Sequence, residues 1–196
     1  MNEDGSREDL MGLYITREDI TTMPVDAIVN AANCDLKNFA PRRGGGVCGA
    51  IFRAAGHAEM QAACDAIGHC ETGQAVITKG FELPAKYVIH AVGPIYRPND
   101  TQQALLLRNC YIHALDLAEE NCLETVAFPL ISSGIFGYPP KEALLIALKA
   151  IQDWLKENNG KVTVYLCLLD ESLYSMAEDR LNEGQKPWEK EGDHGG

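Results

Sequence analysis

The sequence contains no long hydrophobic run and carries little positive charge. None of its apolar stretches approaches the roughly 20 residues that a membrane-spanning helix needs. With 17 Lys and Arg against 28 Asp and Glu, the formal net charge is -11. Nonspecific binding to nucleic-acid or membrane phosphates therefore lacks its electrostatic attraction. The N-terminal segment MNEDGSREDL is acidic and polar, unlike a signal peptide. We therefore expect a cytoplasmic protein without a membrane partner.

No CxxC pair occurs among the seven cysteines, which removes the most specific cysteine signature for zinc or redox chemistry. In a cytoplasmic protein the default interpretation is reduced thiols that pack as small apolar groups. Two weaker alternatives stay open. Cys64, His69 and Cys70 could contribute to a zinc site, and Cys34 with Cys48 could form a redox or metal site. We predict neither a metal nor any other cofactor.

Length and composition favour a single globular domain. The 196 residues are 46% hydrophobic and 23% charged, which are ordinary globular values, and no composition shift marks a second domain. We predict a disordered lead-in at residues 1–10, one domain over residues 11–182 and a polar, flexible tail over residues 183–196.

Short apolar or β-branched runs alternate with longer segments of helical periodicity. Strands are predicted at Leu13–Ile15, Ala27–Val29, Ala75–Thr78, Tyr87–Ala91, Thr125–Pro129 and Lys161–Leu169. Helices are predicted at Val47–Ala55, Ala58–Ile67, Thr101–Asn121, Pro140–Asn158 and Asp170–Asn182. This alternation predicts an α/β sandwich with a largely parallel sheet that can have antiparallel edges.

Two glycine-rich segments each follow a predicted strand and open a helix. They read RGGGVCGA at 43–50 and ISSGIFGYPP at 131–140. One such segment is commonly just a tight turn. Glycines also let the backbone approach phosphate, and the helix N-termini that follow supply free N–H groups. Neither segment has a lysine or reads GxGxxG, which argues against a Walker or dinucleotide fingerprint. Two such loops at the carboxyl ends of strands predict two cradles for a diphosphate ligand.

Polar and aromatic residues near these loops have two interpretations each. Asn33 could bond a sugar hydroxyl or stabilise a turn. Asp19 could accept from an amine such as adenine N6 or cap a turn. Phe136 could pack on a ribose or in the core. The polar loop at 35–43, with Arg42 and Arg43, could fold over the cleft and pair with phosphate, or be a solvated surface loop.

Four motifs together resemble one family, the macrodomains, which bind ADP-ribose. They are VDAIVNAAN at 25–33, GGGV at 44–47, VIHAVGP at 88–94 and SSGIFG at 132–137, and the resemblance runs from about Tyr14 to Leu181. It implies a three-layer α/β/α sandwich around a mixed, mostly parallel sheet of six or seven strands, with a cleft for ADP-ribose.

The resemblance also implies ligand contacts. Asp19 and the backbone of Ile20 would hold the adenine, which Leu169 would cover where an aromatic residue is more usual. Asn33 would bond the distal ribose. The diphosphate would lie between the amides of one loop, Gly45, Gly46 and Val47, and those of the other, Ser133, Gly134, Ile135, Phe136 and Gly137, with Phe136 also against the distal ribose.

Cys48 departs from the family pattern. Hydrolytic macrodomains usually read Gly-Val-Asp-Gly where this chain has Gly46-Val47-Cys48-Gly49, so the usual catalytic aspartate is absent. A thiol is mostly neutral at pH 7 and is a poor replacement for a base. Viral macrodomains with a similar Gly-Val-Cys segment are nevertheless counted among the hydrolases.

The resemblance therefore implies hydrolysis of ADP-ribose esters, on protein Asp or Glu or in O-acetyl-ADP-ribose, at the distal ribose. Asn33 and Cys48 are the catalytic candidates. The alternative is a non-catalytic reader of ADP-ribose. The expected partners are ADP-ribose or an ADP-ribosylated protein, and nucleic acid only where its ends carry ADP-ribose.

Overall fold

The computed structural model describes residues 12–40 and 42–183. The predicted lead-in at residues 1–10 lies outside the described residues, as does the predicted tail apart from Glu183, which ends the last helix.

Six strands and five α-helices alternate along the described part of the chain. The strands are β1 (Leu13–Thr16), β2 (Ala27–Ala32), β3 (Ala75–Lys79), β4 (Tyr87–Val92), β5 (Thr125–Phe128) and β6 (Thr163–Cys167). The helices are α1 (Gly46–Ala55), α2 (His57–Ile67), α3 (Gln103–Glu120), α4 (Pro140–Glu157) and α5 (Glu171–Glu183), with a single 3-10 turn at Ile20–Thr22. These bounds agree with the sequence prediction to within three residues.

The strands form one sheet in the order β1-β6-β5-β2-β4-β3. Neighbouring strands are parallel except for β3, which pairs antiparallel with β4 at one edge. The carboxyl ends of β1, β6, β5 and β2 therefore meet along one edge of the sheet. The prediction of a mixed, mostly parallel sheet is confirmed.

Helices cover both faces of the sheet. Successive residues of the central strands, which point to opposite faces, are therefore all buried. Val29 of β2 packs in one core with α3, α4 and α5, whereas its neighbour Ile28 packs in a second core with α1 and α2. Both side chains are fully buried. The predicted three-layer α/β/α sandwich is confirmed. None of the helices within residues 12–40 and 42–183 is long and apolar enough to cross a membrane.

Strand β2 continues three residues beyond its predicted end at Val29. The prediction ended the strand at Val29 because the apolar pattern is interrupted by the polar residue Asn30. Asn30 is only 1% exposed, and its Nδ2 lies 3.1 Å from Nδ1 of His90 on the adjacent strand β4. A cross-strand partner thus allows a polar residue to continue a buried strand, since its Nδ2 group is hydrogen-bonded.

Candidate functional site

A cleft of about 870 Å³ opens at the carboxyl edge of the sheet. Segments that follow β1, β2, β5 and β6 form its walls. Every predicted site residue lines this cleft, with the exception of Gly137. The lining residues among them are Asp19, Ile20, Asn33, Gly45, Gly46, Val47, Cys48, Ser133, Gly134, Ile135, Phe136 and Leu169. The topology thus brings residues from four separate segments to one concave surface.

The first glycine-rich loop presents the uncapped N-terminus of α1. Gly45 precedes the helix with φ of 76°, a left-handed conformation that favours glycine, and no side chain caps the helix. The backbone N–H of Gly49 donates to the carbonyl of Gly45 at 3.0 Å. The N–H groups of Gly46, Val47 and Cys48 precede this first helical bond and have no partner among the described residues. An uncapped helix start of this kind attracts an anion.

Close packing of Gly44 against Gly49 fixes this loop. A Cβ at Gly49 would collide with the carbonyl oxygen of Gly44. Arg53, one turn further along α1, donates from Nη1 to the carbonyls of Gly44 at 2.9 Å and Ala40 at 3.2 Å. The glycine at 49 therefore permits the close approach, and Arg53 holds it.

The second glycine-rich loop presents four further free amides. The N–H groups of residues 133–136 make no hydrogen bond to the described residues. The loop is anchored at Ser132, whose Oγ donates to the carbonyl of Pro94 at 2.9 Å and whose own carbonyl accepts from Tyr138 at 2.9 Å. A Cβ at Gly93 would collide with Ser132 Oγ, so a glycine there lets the loop approach the end of β4.

Gly137 does not share the position of its neighbours. It is absent from the cleft lining, and its N–H donates to the carbonyl of Gly134 at 3.0 Å. Its φ of 72° closes that turn. In this conformation the Gly137 donor is already used within the turn, and the contact of its amide with a diphosphate stays a prediction.

At one end of the cleft, Asp19 both caps a turn and keeps a free oxygen. Its Oδ1 accepts from Thr21 N at 2.9 Å and from Thr21 Oγ1 at 2.8 Å, while Oδ2 has no partner among the described residues. Leu169 lies in the same cleft and is 68% exposed. The capping interpretation of Asp19 is thus observed, and one carboxylate oxygen remains for a ligand donor.

Asn33 holds the backbone that follows β2. Its Nδ2 donates to the carbonyl of Lys37 at 2.7 Å, and its Oδ1 accepts from Lys37 N at 3.1 Å. This is the turn-stabilising role. A side-chain amide has two N–H groups and an oxygen with two lone pairs, so one donor and one acceptor site remain for a ligand.

A buried chain of polar groups leads from the cleft into the sheet. Asn30 Nδ2 donates to Cys48 Sγ at 3.6 Å and to His90 Nδ1 at 3.1 Å. Since Nδ1 accepts, the ring proton of His90 is on Nε2, which lies 2.9 Å from Thr78 Oγ1. Complete burial lowers the pKa of His90 from 6.5 to about 4, so the ring is neutral at pH 7. Asn30 Oδ1 is buried without a partner among the described residues.

Burial controls the protonation state of the Cys48 thiol, and the hydrogen bond from Asn30 modifies it. Burial raises the pKa of Cys48 above its ordinary value, and the hydrogen bond from Asn30 opposes that rise only in part. The thiol is therefore protonated at neutral pH and does not act as a base. Sequence reasoning did not assign Asn30 or His90 to the site, although both belong to quoted motifs, VNAAN and VIHAVGP.

The loop after Asn33 also forms part of the site, through a residue that the sequence analysis did not single out. Phe39 lines the cleft and is 77% exposed. Neither Arg42 nor Arg43 is in the lining, so the suggestion that they pair with a diphosphate inside the cleft is not supported by their positions. An aromatic residue within a polar loop was the available signal.

The described residues do not form either cysteine-based site, the zinc site or the redox or metal site, that the sequence left open. No group of three or more His, Cys, Asp or Glu side chains within residues 12–40 and 42–183 could hold a metal ion. All seven cysteines are free thiols, including Cys34 and Cys48. Burial raises the pKa of Cys64 to about 12, which disfavours the thiolate that zinc requires.

Comparison with known proteins agrees with the fold and with the motifs. The family model described as Macro domain matches residues 29–147. A macro domain-containing protein of Chlorobaculum tepidum is 44% identical over 82% of this chain and 91% of its own length. The chain belongs to the Macro domain family, so the resemblance seen in the sequence is confirmed.

Two vertebrate relatives have names that state an activity. The ADP-ribose glycohydrolase MACROD2 of Xenopus laevis is 49% identical over 84% of this chain, and the ADP-ribose glycohydrolase MACROD1 of Mus musculus is 46% identical over 91%. The matched regions cover only 38% and 54% of those two proteins.

Solved macrodomain structures share the fold over most of the chain. The Oceanobacillus iheyensis macrodomain with ADP has a TM-score of 0.77 and 39% identity, covering 87% of this chain and 90% of that one. The Trypanosoma brucei macrodomain in complex with ADP-ribose has a TM-score of 0.76 and 36% identity, covering 89% and 72%.

Proposed function

We propose that this protein binds ADP-ribose in the cleft and hydrolyses ADP-ribose esters at the distal ribose. The observation that carries the proposal is the pair of free amide sets on the two glycine-rich loops, at 46–48 and 133–136, lining one cleft. Two sets of backbone donors match the two phosphates of a diphosphate, whose charge they offset locally despite a chain charge of -11.

The other ligand groups find partners along the same cleft. Asp19 Oδ2 accepts from the adenine amine, and Leu169 covers the base. The remaining donor and acceptor of Asn33 bond the hydroxyls of the distal ribose. Phe136, which is half-buried in the lining, packs against the same sugar. Several named relatives are ADP-ribose glycohydrolases, and one solved macrodomain holds ADP-ribose, which supports this assignment.

In this proposal no residue within 12–40 and 42–183 acts as a base at the reacting sugar. The carboxylates in the cleft lining are Glu18 and Asp19, which lie at the adenine end, and the Cys48 thiol is protonated. The chain's contribution is to fix the distal ribose through Asn33 and to hold the diphosphate close, so that a ligand phosphate oxygen orients the attacking water. A leaving carboxylate, as in an ester, needs little acid assistance.

One observation favours a second candidate, a reader that binds ADP-ribose without cleaving the ester. General-base catalysis contributes about 10²–10⁴-fold, and the raised pKa of Cys48 removes it from this residue. The two candidates share the same ligand and differ only in turnover.

The deciding experiment is release of ADP-ribose from a protein modified on Asp or Glu, and of acetate from O-acetyl-ADP-ribose. We expect turnover by the wild type and a large loss in Asn33→Ala. Lys141→Ala, at an exposed position in the first turn of α4 that does not line this cleft, is the control and should behave as wild type. Tight ADP-ribose binding with no turnover would establish the reader. Unchanged turnover in Asn33→Ala would contradict the placement of the distal ribose.

A further inference from the structure

Phe39 is an exposed aromatic ring on a loop that is not free to bury it. The preceding residues are anchored on α2: Asn38 N donates to Gln61 Oε1 at 3.0 Å, and Gln61 Nε2 donates to the carbonyl of Leu36 at 3.1 Å. Leu36 itself is 2% exposed. Because these hydrogen bonds fix the backbone before Phe39, the side chain of Phe39 stays exposed, at 77% of its surface.

Ala40, on the other side of Phe39, is held as firmly. Its N–H donates to Asn38 Oδ1 at 3.0 Å, and its carbonyl accepts from Arg53 Nη1 at 3.2 Å. Singly exposed apolar side chains are common on protein surfaces. This one differs in that it lines the cleft between two anchored neighbours, where a bound molecule would cover it.

The sheet order places Phe39 at the end of the cleft away from Asp19. Asp19 and Leu169 follow β1 and β6, which are neighbours at one edge of the sheet. The Phe39 loop follows β2 and is bonded to α2, which packs against β3 at the opposite edge. If adenine lies beside Asp19, as the proposed function requires, the distal ribose points toward Phe39. The group joined to that ribose then emerges beside the ring.

The surface next to Phe39 carries positive charge. Arg42 and Arg43 are exposed just outside the cleft lining and form no ion pair with the described residues. Lys37 is neutralised by Asp65 at 2.8 Å, and the exposed Asp35 forms no ion pair with either arginine. In a chain of net charge -11, an unpaired arginine pair at the mouth of a cleft is suited to an acidic partner.

We propose that Phe39, with Arg42 and Arg43, forms a subsite for the polypeptide that carries the ADP-ribose. The ring packs against an apolar side chain next to the modified residue, and the arginines pair with acidic side chains that flank it. This inference rests on the proposed function and deepens it, because it selects a modified acidic polypeptide over free ADP-ribose or O-acetyl-ADP-ribose.

The test compares binding of two ligands by calorimetry. One is free ADP-ribose. The other is a peptide rich in Leu and Glu that carries ADP-ribose through a linkage resistant to hydrolysis, so that the result does not depend on turnover. We expect the wild type to bind the peptide about tenfold more tightly than ADP-ribose, and Phe39→Ala to lose most of that preference. Phe39→Ala should weaken binding of free ADP-ribose less than it weakens binding of the peptide.

Phe81→Ala is the matched control. Phe81 is 42% exposed and lies in the turn between β3 and β4, at the sheet edge opposite the cleft, because β4 begins there. It should keep the full preference for the peptide. Arg42→Ser with Arg43→Ser should reduce the preference in low salt and have less effect in high salt, because surface charges are screened.

Two results would overturn the subsite while leaving the proposed function intact. One is a wild type that binds both ligands equally. The other is a Phe39→Ala variant that weakens both ligands equally, which would mean that the ring contacts ADP-ribose itself. A wild type that binds neither ligand would instead overturn the proposed function, and the subsite with it.

Discussion

Replacing Cys48 by aspartate introduces a carboxylate where, by the sequence resemblance, hydrolytic macrodomains usually have one. Cys48 is the third residue of α1, whose first turn contains no acidic residue and whose leading N–H groups are free. A carboxylate there gains about 0.3–1 kcal/mol from the helix N-terminus. Asn30 Nδ2, now 3.6 Å from Sγ, is a donor already directed at it.

The expected change in turnover is much larger than the change in stability. Partial burial of the new carboxylate opposes the gain from the helix, so the free energy of unfolding should stay within about 1 kcal/mol of wild type. A positioned general base contributes about 10²–10⁴-fold. We therefore expect Cys48→Asp to release ADP-ribose from an Asp- or Glu-modified protein at least about tenfold faster than wild type.

The assay is single-turnover release of ADP-ribose, with Cys48→Asn as the matched control. Asparagine has the shape of aspartate without the charge, so it should not accelerate the reaction. The rate of Cys48→Asp should also fall at acidic pH as the carboxylate is protonated, a dependence that wild type lacks. A Cys48→Asp protein that binds ADP-ribose normally yet is no faster than wild type would refute the reasoning.

Two further predictions concern stability. Burial lowers the pKa of His90 to about 4 in the folded chain from 6.5, so His90 should contribute a loss of stability of about 1 kcal/mol per pH unit as pH falls from 6.5 toward 4, because only the unfolded chain takes up the proton. In urea unfolding, the change of the unfolding free energy with pH should match wild type in His69→Gln, the control at an exposed histidine, and should be smaller in His90→Gln. Equal changes in the two variants would contradict the assignment. Gly49→Ala should lower the free energy of unfolding by about 1–3 kcal/mol through the collision with Gly44, and should weaken ADP-ribose binding. In Gly134→Ala the added Cβ meets nothing within 4 Å, so its unfolding free energy should change by less than about 0.5 kcal/mol, and a similar loss in both variants would contradict the packing argument.

Most of the fold was predictable because local patterns determined its elements. Gly56 and Gly68, with φ of 96° and 86°, end α1 and α2 where the sequence predicted. Fully buried strands read as apolar runs because both sheet faces are covered. The strand order was not predictable from these patterns, since parallel neighbours are joined through distant crossovers. The end of β2 was missed for a related reason: the partner of Asn30 is His90, 60 residues away.

The parts of the cleft that are formed by backbone N–H groups could be predicted from the sequence. Glycine-rich loops that open helices place free N–H groups at strand ends almost regardless of the side chains around them. Side-chain roles were less predictable. Asn33 and Asp19 each proved to hold their own turns, and the thiol state of Cys48 depends on burial and on Asn30. Phe39 was not assigned, because its exposure depends on hydrogen bonds between Gln61 and the neighbouring residues Leu36 and Asn38.

Titration calorimetry with ADP-ribose tests the central claim most directly. The account predicts saturable binding of one ADP-ribose per chain. That binding should weaken strongly in Asn33→Ala and in Asp19→Ala, which remove contacts at opposite ends of the cleft. AMP, which lacks the second phosphate and the distal ribose, should bind much more weakly. Absence of ADP-ribose binding, or binding that neither variant alters, would contradict the assignment of this cleft.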